Sequence, residues 1–120
     1  MAFTNSQKKR IAILGANGYG GVQLVRLLNE HPLSQITFLG GERTAGKKWN
    51  ELFPFIPIHS DLQIEKPDID RISEVADFVF LSLPNGIASK FVPELLNNNL
   101  RVIDLSADYR YKSLDEWKKV

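Results

Sequence analysis

The chain contains no cysteine, so no disulfide, thiolate metal site or thiol nucleophile can come from its 120 residues. That absence also fits a reducing compartment. Histidine is scarce: His31 precedes Pro32 at an expected helix end and His59 falls in an expected loop, and two isolated imidazoles make no metal site. Ser82 and Ser106 have no histidine near them in sequence, which argues against a serine hydrolase. Neither sign of charge is in excess, and a net charge of +1 gives no electrostatic reason to expect nucleic acid or an anionic membrane as partner. No apolar run reaches the roughly 18 residues of a membrane-spanning helix. The polar opening, Met-Ala-Phe-Thr-Asn-Ser-Gln-Lys-Lys, lacks the apolar centre of a secretory signal, so a cytoplasmic chain is expected. Internal repeats and low-complexity tracts are absent too. What remains is about one domain's length of globular sequence, with residues 1–8 expected to be an extended or disordered leader.

The most informative stretch that is present runs from Arg10 to Arg26. A short apolar segment meets Gly15, Gly18, Gly20 and Gly21, and a helical pattern follows at once. Strand, tight turn and helix start in this order place a diphosphate against backbone N–H groups, because a helix N-terminus has unpaired donors and a favourable dipole. Gly15 permits a sharp exit from the strand, Gly18 a close approach of an anion, and Gly21 close packing of helix on sheet. The spacing is G-x-x-G-x-x-G rather than the commoner G-x-G-x-x-G; without a second signal, a glycine-rich turn with no ligand would account for it.

Further along, the spacing predicts strands at 11–14, 35–39, 62–64, 78–83 and 101–105. Helices are expected from 17 or 18 to 29, over 70–75, and through Ala88, Phe91, Val92, Leu95 and Leu96, ending at Asn97-Asn98-Asn99. Val22, Val25 and Leu28, helped by Leu24, form the buried face of the first helix, which stops before His31-Pro32. Residues 40–60 read as a long connection with a turn of helix near 49–53, a length often associated with function. This alternation implies right-handed crossovers and an α/β, Rossmann-like doubly wound parallel sheet of order 3-2-1-4-5. The first and fourth strands are then neighbours, and their carboxyl ends bring residues 15–21 and Leu83, Pro84, Asn85 and Gly86 to one crevice. Residues 9–120 are therefore expected to be a dinucleotide-binding domain.

The second strand's end bears on which dinucleotide is bound. A carboxylate about 20 residues beyond the glycines usually holds the ribose hydroxyls of NAD. Here the strand runs into Gly40-Gly41, small residues expected to leave room for a 2′-phosphate, with Arg43 and Thr44 as guanidinium and hydroxyl donors. NADP is the expected cofactor; an inward-turned Glu42 would instead favour the ribose.

Four blocks carry a resemblance that covers nearly the whole chain: Gly15-Ala-Asn-Gly-Tyr-Gly-Gly21, Ala45-Gly-Lys47, Phe80-Leu-Ser-Leu-Pro-Asn-Gly86 and Val102-Ile-Asp-Leu-Ser-Ala-Asp-Tyr-Arg110. They resemble the N-terminal part of the N-acetyl-γ-glutamyl-phosphate reductases, NADPH-dependent enzymes of arginine biosynthesis. The resemblance implies an NADP-binding Rossmann domain from an enzyme that reductively dephosphorylates an acyl phosphate to an aldehyde, through a cysteine thioester with a histidine as acid/base. It also implies a homo-oligomeric full-length enzyme. Gly20 stands where that family often has Thr, Asn17 where it often has Ser, and Asn85 where many members have His. The family's cysteine motif lies beyond the last residue here, so this chain is expected to be part of a longer enzyme and inactive alone. An aspartate-semialdehyde dehydrogenase or an amino-group-carrier-linked reductase is the alternative among enzymes; a non-catalytic nucleotide-binding or redox-sensing module is the alternative outside them.

The expected cofactor-binding residues are Gly15, Asn17, Gly18, Tyr19, Gly20, Gly21, Arg43, Thr44, Leu83, Pro84, Asn85, Gly86, Ser106 and Ala107; no residue is assigned to catalysis or metal binding. The rings of Tyr19 and Trp49 are expected to pack rather than stack on a nicotinamide. Asp104 is expected to be structural, whereas Ser106, Ala107 and Asp108 end a strand at the crevice. Ser113-Leu-Asp-Glu116 reads as a capping box that opens a further helix.

Overall fold

The computed structural model describes residues 8–16, 18–59, 61–83 and 87–105. Asn17, Pro84, Asn85, Gly86, Ser106, Ala107, Asp108, Arg110 and the 113–116 capping box lie outside them. In order, the elements are β1 (Lys9–Leu14), α1 (Tyr19–Glu30), β2 (Ser34–Gly40), α2 (Trp49–Leu52), β3 (Ile64–Glu65), α3 (Ile69–Val75), β4 (Phe78–Leu81), α4 (Ala88–Asn97) and β5 (Arg101–Asp104). The sheet is parallel with order β3-β2-β1-β4-β5, as expected.

Alternation along β1 explains the two-sided core. Ile11 and Ile13 face α1 and α2, where they join Val25, Ile36, Leu39, Trp49, Ile58 and Ile64. Ala12 and Leu14 face α3 and α4, with Phe38, Ile72, Val79, Leu81, Leu95 and Leu100. Successive strand residues point to opposite faces, so Ile36 and Phe38 would share a face in a regular strand. They do not, because the register with β1 shifts: Ile11 pairs with Ile36, Ala12 with Phe38, and Thr37 is skipped. The Thr37 hydroxyl donates to the Ile11 carbonyl at 3.3 Å. This bulge changes the phase of β2 and supplies both cores from one strand.

Several boundaries differ from expectation for identifiable reasons. α1 runs one residue further, to Glu30, and stops where His31 is extended (ψ 126°), the conformation a residue before proline prefers. α3 begins at Ile69 because Asp68 caps it, accepting from the N–H groups of Asp70 and Arg71 at 3.1 and 3.4 Å. β3 lies at Ile64–Glu65, two residues later than its expected start, since Gln63 pairs antiparallel with Lys48. The long connection is accordingly no open loop: Trp49 is fully buried, its Nε1–H donates to the Ile56 carbonyl at 2.8 Å, and its ring stacks on Phe53. Leu96, expected on the buried face of α4, is 54% exposed while its neighbour Leu95 is fully buried, because Leu96 lies at the edge of the apolar stripe. No helix among the described residues is long and apolar enough to cross a membrane.

Candidate functional site

The carboxyl ends of the strands meet in a row. Leu14, the last residue of β1, pairs with Gly40 of β2 on one side and Leu81 of β4 on the other, and Leu81 in turn pairs with Asp104 of β5. Beyond Leu14 the chain turns at Gly15, whose φ of 81° is a left-handed conformation costly for residues with a side chain. The N–H groups of Gly15 and Ala16 both donate to the Gly40 carbonyl, at 2.9 and 3.1 Å, tying this turn to the end of β2. Gly18 then donates to the Gly15 carbonyl at 3.1 Å and opens α1.

That helix starts with no capping side chain and no acidic residue in its first turn. The N–H of Val22, bonded to the Gly18 carbonyl at 2.8 Å, is the first to take the regular helical acceptor; those of Tyr19, Gly20 and Gly21 precede it and have none within the helix. Close packing holds this end in place. A Cβ at Gly21 would overlap the Gly15 carbonyl oxygen, whereas one at Gly18 would sit at an ordinary 3.5 Å from the same atom. Glycine at 21 is thus demanded by the fold, and glycine at 18 is not. Gly18 is exposed and Gly20 half-buried, and this uncapped helix start at the sheet's carboxyl edge, with no side chain at Gly18, has the polarity to accept a dinucleotide's diphosphate.

At the end of β2 the small residues have close neighbours within the protein. A Cβ on Gly40 would lie 2.5 Å from Leu14 Cδ2, so a side chain there would have to displace the end of Leu14, and Gly41 is buried with its N–H donating to the Glu65 carbonyl at 3.0 Å. Glu42 and Arg43 follow, both exposed. The Thr44 hydroxyl oxygen is buried and has no hydrogen-bond partner among the described residues, while its carbonyl accepts from Lys47 N–H at 3.1 Å.

β4 ends at Leu81 rather than at residue 83, although Ser82 N–H still donates to the Leu14 carbonyl at 2.9 Å. Half-buried Leu83 packs against the α3/α4 core. Sequence reasoning passed over Ser82 as a site residue, yet it stands directly beside the glycine turn. The signal was its place at the end of a strand adjoining β1. Asp104 holds an interaction of its own and is half-buried at the same edge.

The histidines are elsewhere, at the amino-terminal edge. His31 Nδ1 accepts from Leu33 N–H at 3.1 Å, and His59 N–H donates to Asn29 Oδ1 at 3.0 Å. No group of three or more His, Asp or Glu residues suited to a metal ion occurs among the described residues. Arg10 and Asp77 form a fork at this edge, with Nη2 to Oδ1 at 3.0 Å and Nε to Oδ2 at 3.2 Å. Hydrogen bonding from Arg10 holds the Asp77 carboxyl below its ordinary range, and the Arg10 guanidinium is raised in turn. A concavity of about 700 Å³ is an open groove between α3 and α4 lined by Lys66, Asp68, Asp70, Phe91 and Glu94, away from the glycine turn. The candidate site is at the turn, where the helix starts without a side-chain cap, rather than in that groove.

Known proteins share this arrangement. The family described as semialdehyde dehydrogenase, NAD binding domain, matches residues 10–119. An N-acetyl-gamma-glutamyl-phosphate reductase of Prochlorococcus marinus (strain MIT 9211) is 54% identical over 120 residues, covering 100% of this chain and 33% of that protein. Another, from strain MIT 9313, is 56% identical over 111 residues, covering 92% and 31%. The chain spans about a third of the length of these relatives. Among solved structures, aspartate semialdehyde dehydrogenase with NADP from Candida albicans superimposes with a TM-score of 0.71 at 25% identity, over 86% of this chain and 31% of that one. With a sheet of order 3-2-1-4-5, a glycine turn opening α1 and a family match that spans both, the chain is an NAD(P)-binding Rossmann domain and belongs to the semialdehyde dehydrogenase NAD-binding domain family.

Proposed function

We propose that residues 9–120 are the NADPH-binding part of an N-acetyl-γ-glutamyl-phosphate reductase, with residues 1–8 as a leader. The observation that carries the nucleotide reading is the uncapped start of α1, pinned at the carboxyl edge by the contact of Gly21 with the Gly15 carbonyl. The acyl-phosphate substrate is supported by 54% identity across all 120 residues to a protein of that name, against 25% to an aspartate semialdehyde dehydrogenase.

In this reading the N–H groups of Tyr19, Gly20 and Gly21 hold the diphosphate, with Gly15, Asn17 and Gly18 shaping the turn. Arg43 pairs with the 2′-phosphate. Thr44 adds its hydroxyl if its turn opens, since that oxygen is buried without a partner among the described residues. Leu83, Pro84, Asn85 and Gly86 line the opposite wall, with Ser106 and Ala107 beyond β5. The bound nicotinamide supplies the reducing equivalent. A nucleophile and an acid/base belong to the rest of the enzyme, because these residues include no cysteine and both histidines lie at the other edge of the sheet. Cytoplasmic location and homo-oligomeric assembly of the whole enzyme complete the proposal.

Calorimetric titration of the 120-residue chain with NADPH and NADH tests it. Binding with preference for NADPH, and no NADPH consumption above the uncatalysed rate when N-acetyl-γ-glutamyl phosphate is added, is the expected result. Equal affinities, a preference for NADH abolished by Glu42→Ala, or robust turnover by this chain alone would overturn it.

A further inference from the structure

Two glycines of the turn press on the same neighbour. A Cβ at Gly15 would overlap the Ser82 carbonyl oxygen and lie 2.8 Å from its carbon; a Cβ at Gly20 would lie 2.5 Å from Ser82 Oγ and 3.8 Å from Ser82 Cβ. The Ser82 backbone is fixed from the other side, because its N–H donates to the Leu14 carbonyl at 2.9 Å and the preceding Leu81 is paired with both Leu14 and Asp104. The residue therefore forms a plug, held by the sheet, between the turn after β1 and the first turn of α1. Real Cβ atoms do not approach other heavy atoms to 2.5 Å, so a side chain at position 20 requires either the serine hydroxyl or the helix to move.

We propose that Ser82 is a positioning residue of the dinucleotide site. Its hydroxymethyl group fills the volume left free by the missing side chain of Gly20 and seats α1 so that the N–H groups of Tyr19, Gly20 and Gly21 stand at the height of the cofactor's diphosphate. Side-chain sizes at positions 20 and 82 form a matched pair: enlarging one tilts the helix start away from the ligand, and shrinking the other restores it. This inference rests on the reading of the α1 N-terminus as the diphosphate site. It adds to that reading a residue that acts through its contact with Gly20, from a strand whose neighbouring loop was expected to supply the contacts.

The test is a double-mutant cycle on the whole chain, read in two ways. NADPH affinity is expected to fall about tenfold in Gly20→Ala and in Ser82→Val, and to return to within about threefold of the unaltered chain in Gly20→Ala/Ser82→Ala, as strong coupling between touching residues allows. Alanine is a better helix former than glycine, so the melting temperature of Gly20→Ala is not expected to follow the affinity down; a purely structural role would move both together. The second reading needs no ligand. Hydrogen exchange at the Val22 amide, bonded to the Gly18 carbonyl at 2.8 Å, is expected to quicken in Gly20→Ala and slow again when Ser82→Ala is added.

Unchanged affinity in Gly20→Ala, or a double variant no better than the single one, overturns the role of Ser82 and leaves the nucleotide site standing if the unaltered chain binds NADPH. Failure of the unaltered chain to bind NADPH overturns both. Should Gly20→Ala not fold, Ser82→Ala must restore folding in that background; without restoration the matched pair is wrong.

Discussion

At the amino-terminal edge of the sheet, Arg10 at the start of β1 grips Asp77 before β4 with two side-chain contacts, and donates through Nη1 to the Glu74 carbonyl at 3.2 Å. The backbone reinforces the junction, since Asp77 N–H donates to the Arg10 carbonyl and Arg101 N–H to the Asp77 carbonyl. At the carboxyl edge the same strands run into glycines, and α1 begins with no side chain closing its first donors. One edge ties its polar groups together with side chains; at the other the helix starts without a side-chain cap. The difference separates stability from binding. Contacts at the first edge should matter to folding alone. At the second, the glycines divide into those the backbone packing needs, Gly15 and Gly21, and Gly18, which only a ligand would need.

Gly21→Val tests this division with the largest effect. Its Cβ would have to displace the Gly15 backbone, so a loss of about 3 kcal/mol in unfolding free energy, the upper range for overpacking, is expected in denaturant titration. A variant as stable as the original would show that the loop gives way. Gly18→Val, three residues away, should unfold normally while dinucleotide affinity drops roughly tenfold to a hundredfold, corresponding to about 1–3 kcal/mol of steric conflict with the ligand. If binding persists in the folded variant, the diphosphate does not pass over residue 18.

Arg43→Ala should lower affinity for NADPH by about 1–3 kcal/mol, the range for a charge-assisted hydrogen bond, with affinity for NADH unchanged. Equal losses for both cofactors would place Arg43 away from the 2′-phosphate. Asp77→Asn brings the smallest change and confines it to the other edge. Both side chains of the pair are half-exposed, so about 0.2–1 kcal/mol of stability is at stake and cofactor affinity should not move. Its pH dependence has a definite sign. The folded carboxyl titrates below its ordinary range because Arg10 bonds it; the contribution is complete above about pH 4 and lost as pH falls through the lowered folded value. The stability gap between the two proteins should close on acidification, and a gap that widens would mean the ion pair has been misread.

Much of this was legible in the sequence because it depends on local pattern. The apolar runs around Ile11 and Val79, each followed by a turn and a helical repeat, with the run around Phe38 between them, dictate parallel strands with crossovers, and right-handed crossovers then bring the first and fourth strands together. Glycine at 15 announced a sharp exit from the strand, and the turn found there has a φ of 81°. Asp68, by contrast, was a readable cap that the helical periodicity of 70–75 obscured.

The sequence by itself determined the order of elements, the edge at which the glycine turn lies and the absence of a thiol, since composition and period act within a few residues of one another. Tertiary structure alone decided the skipped Thr37 that sends Ile36 and Phe38 to opposite cores, the close approach of Gly40 to Leu14, and the wedge of Ser82 against Gly15 and Gly20. Each is a contact between segments far apart in the chain. Such contacts arise from the interlocking of side-chain volumes once the strands are paired, and no residue's own conformational preference encodes them.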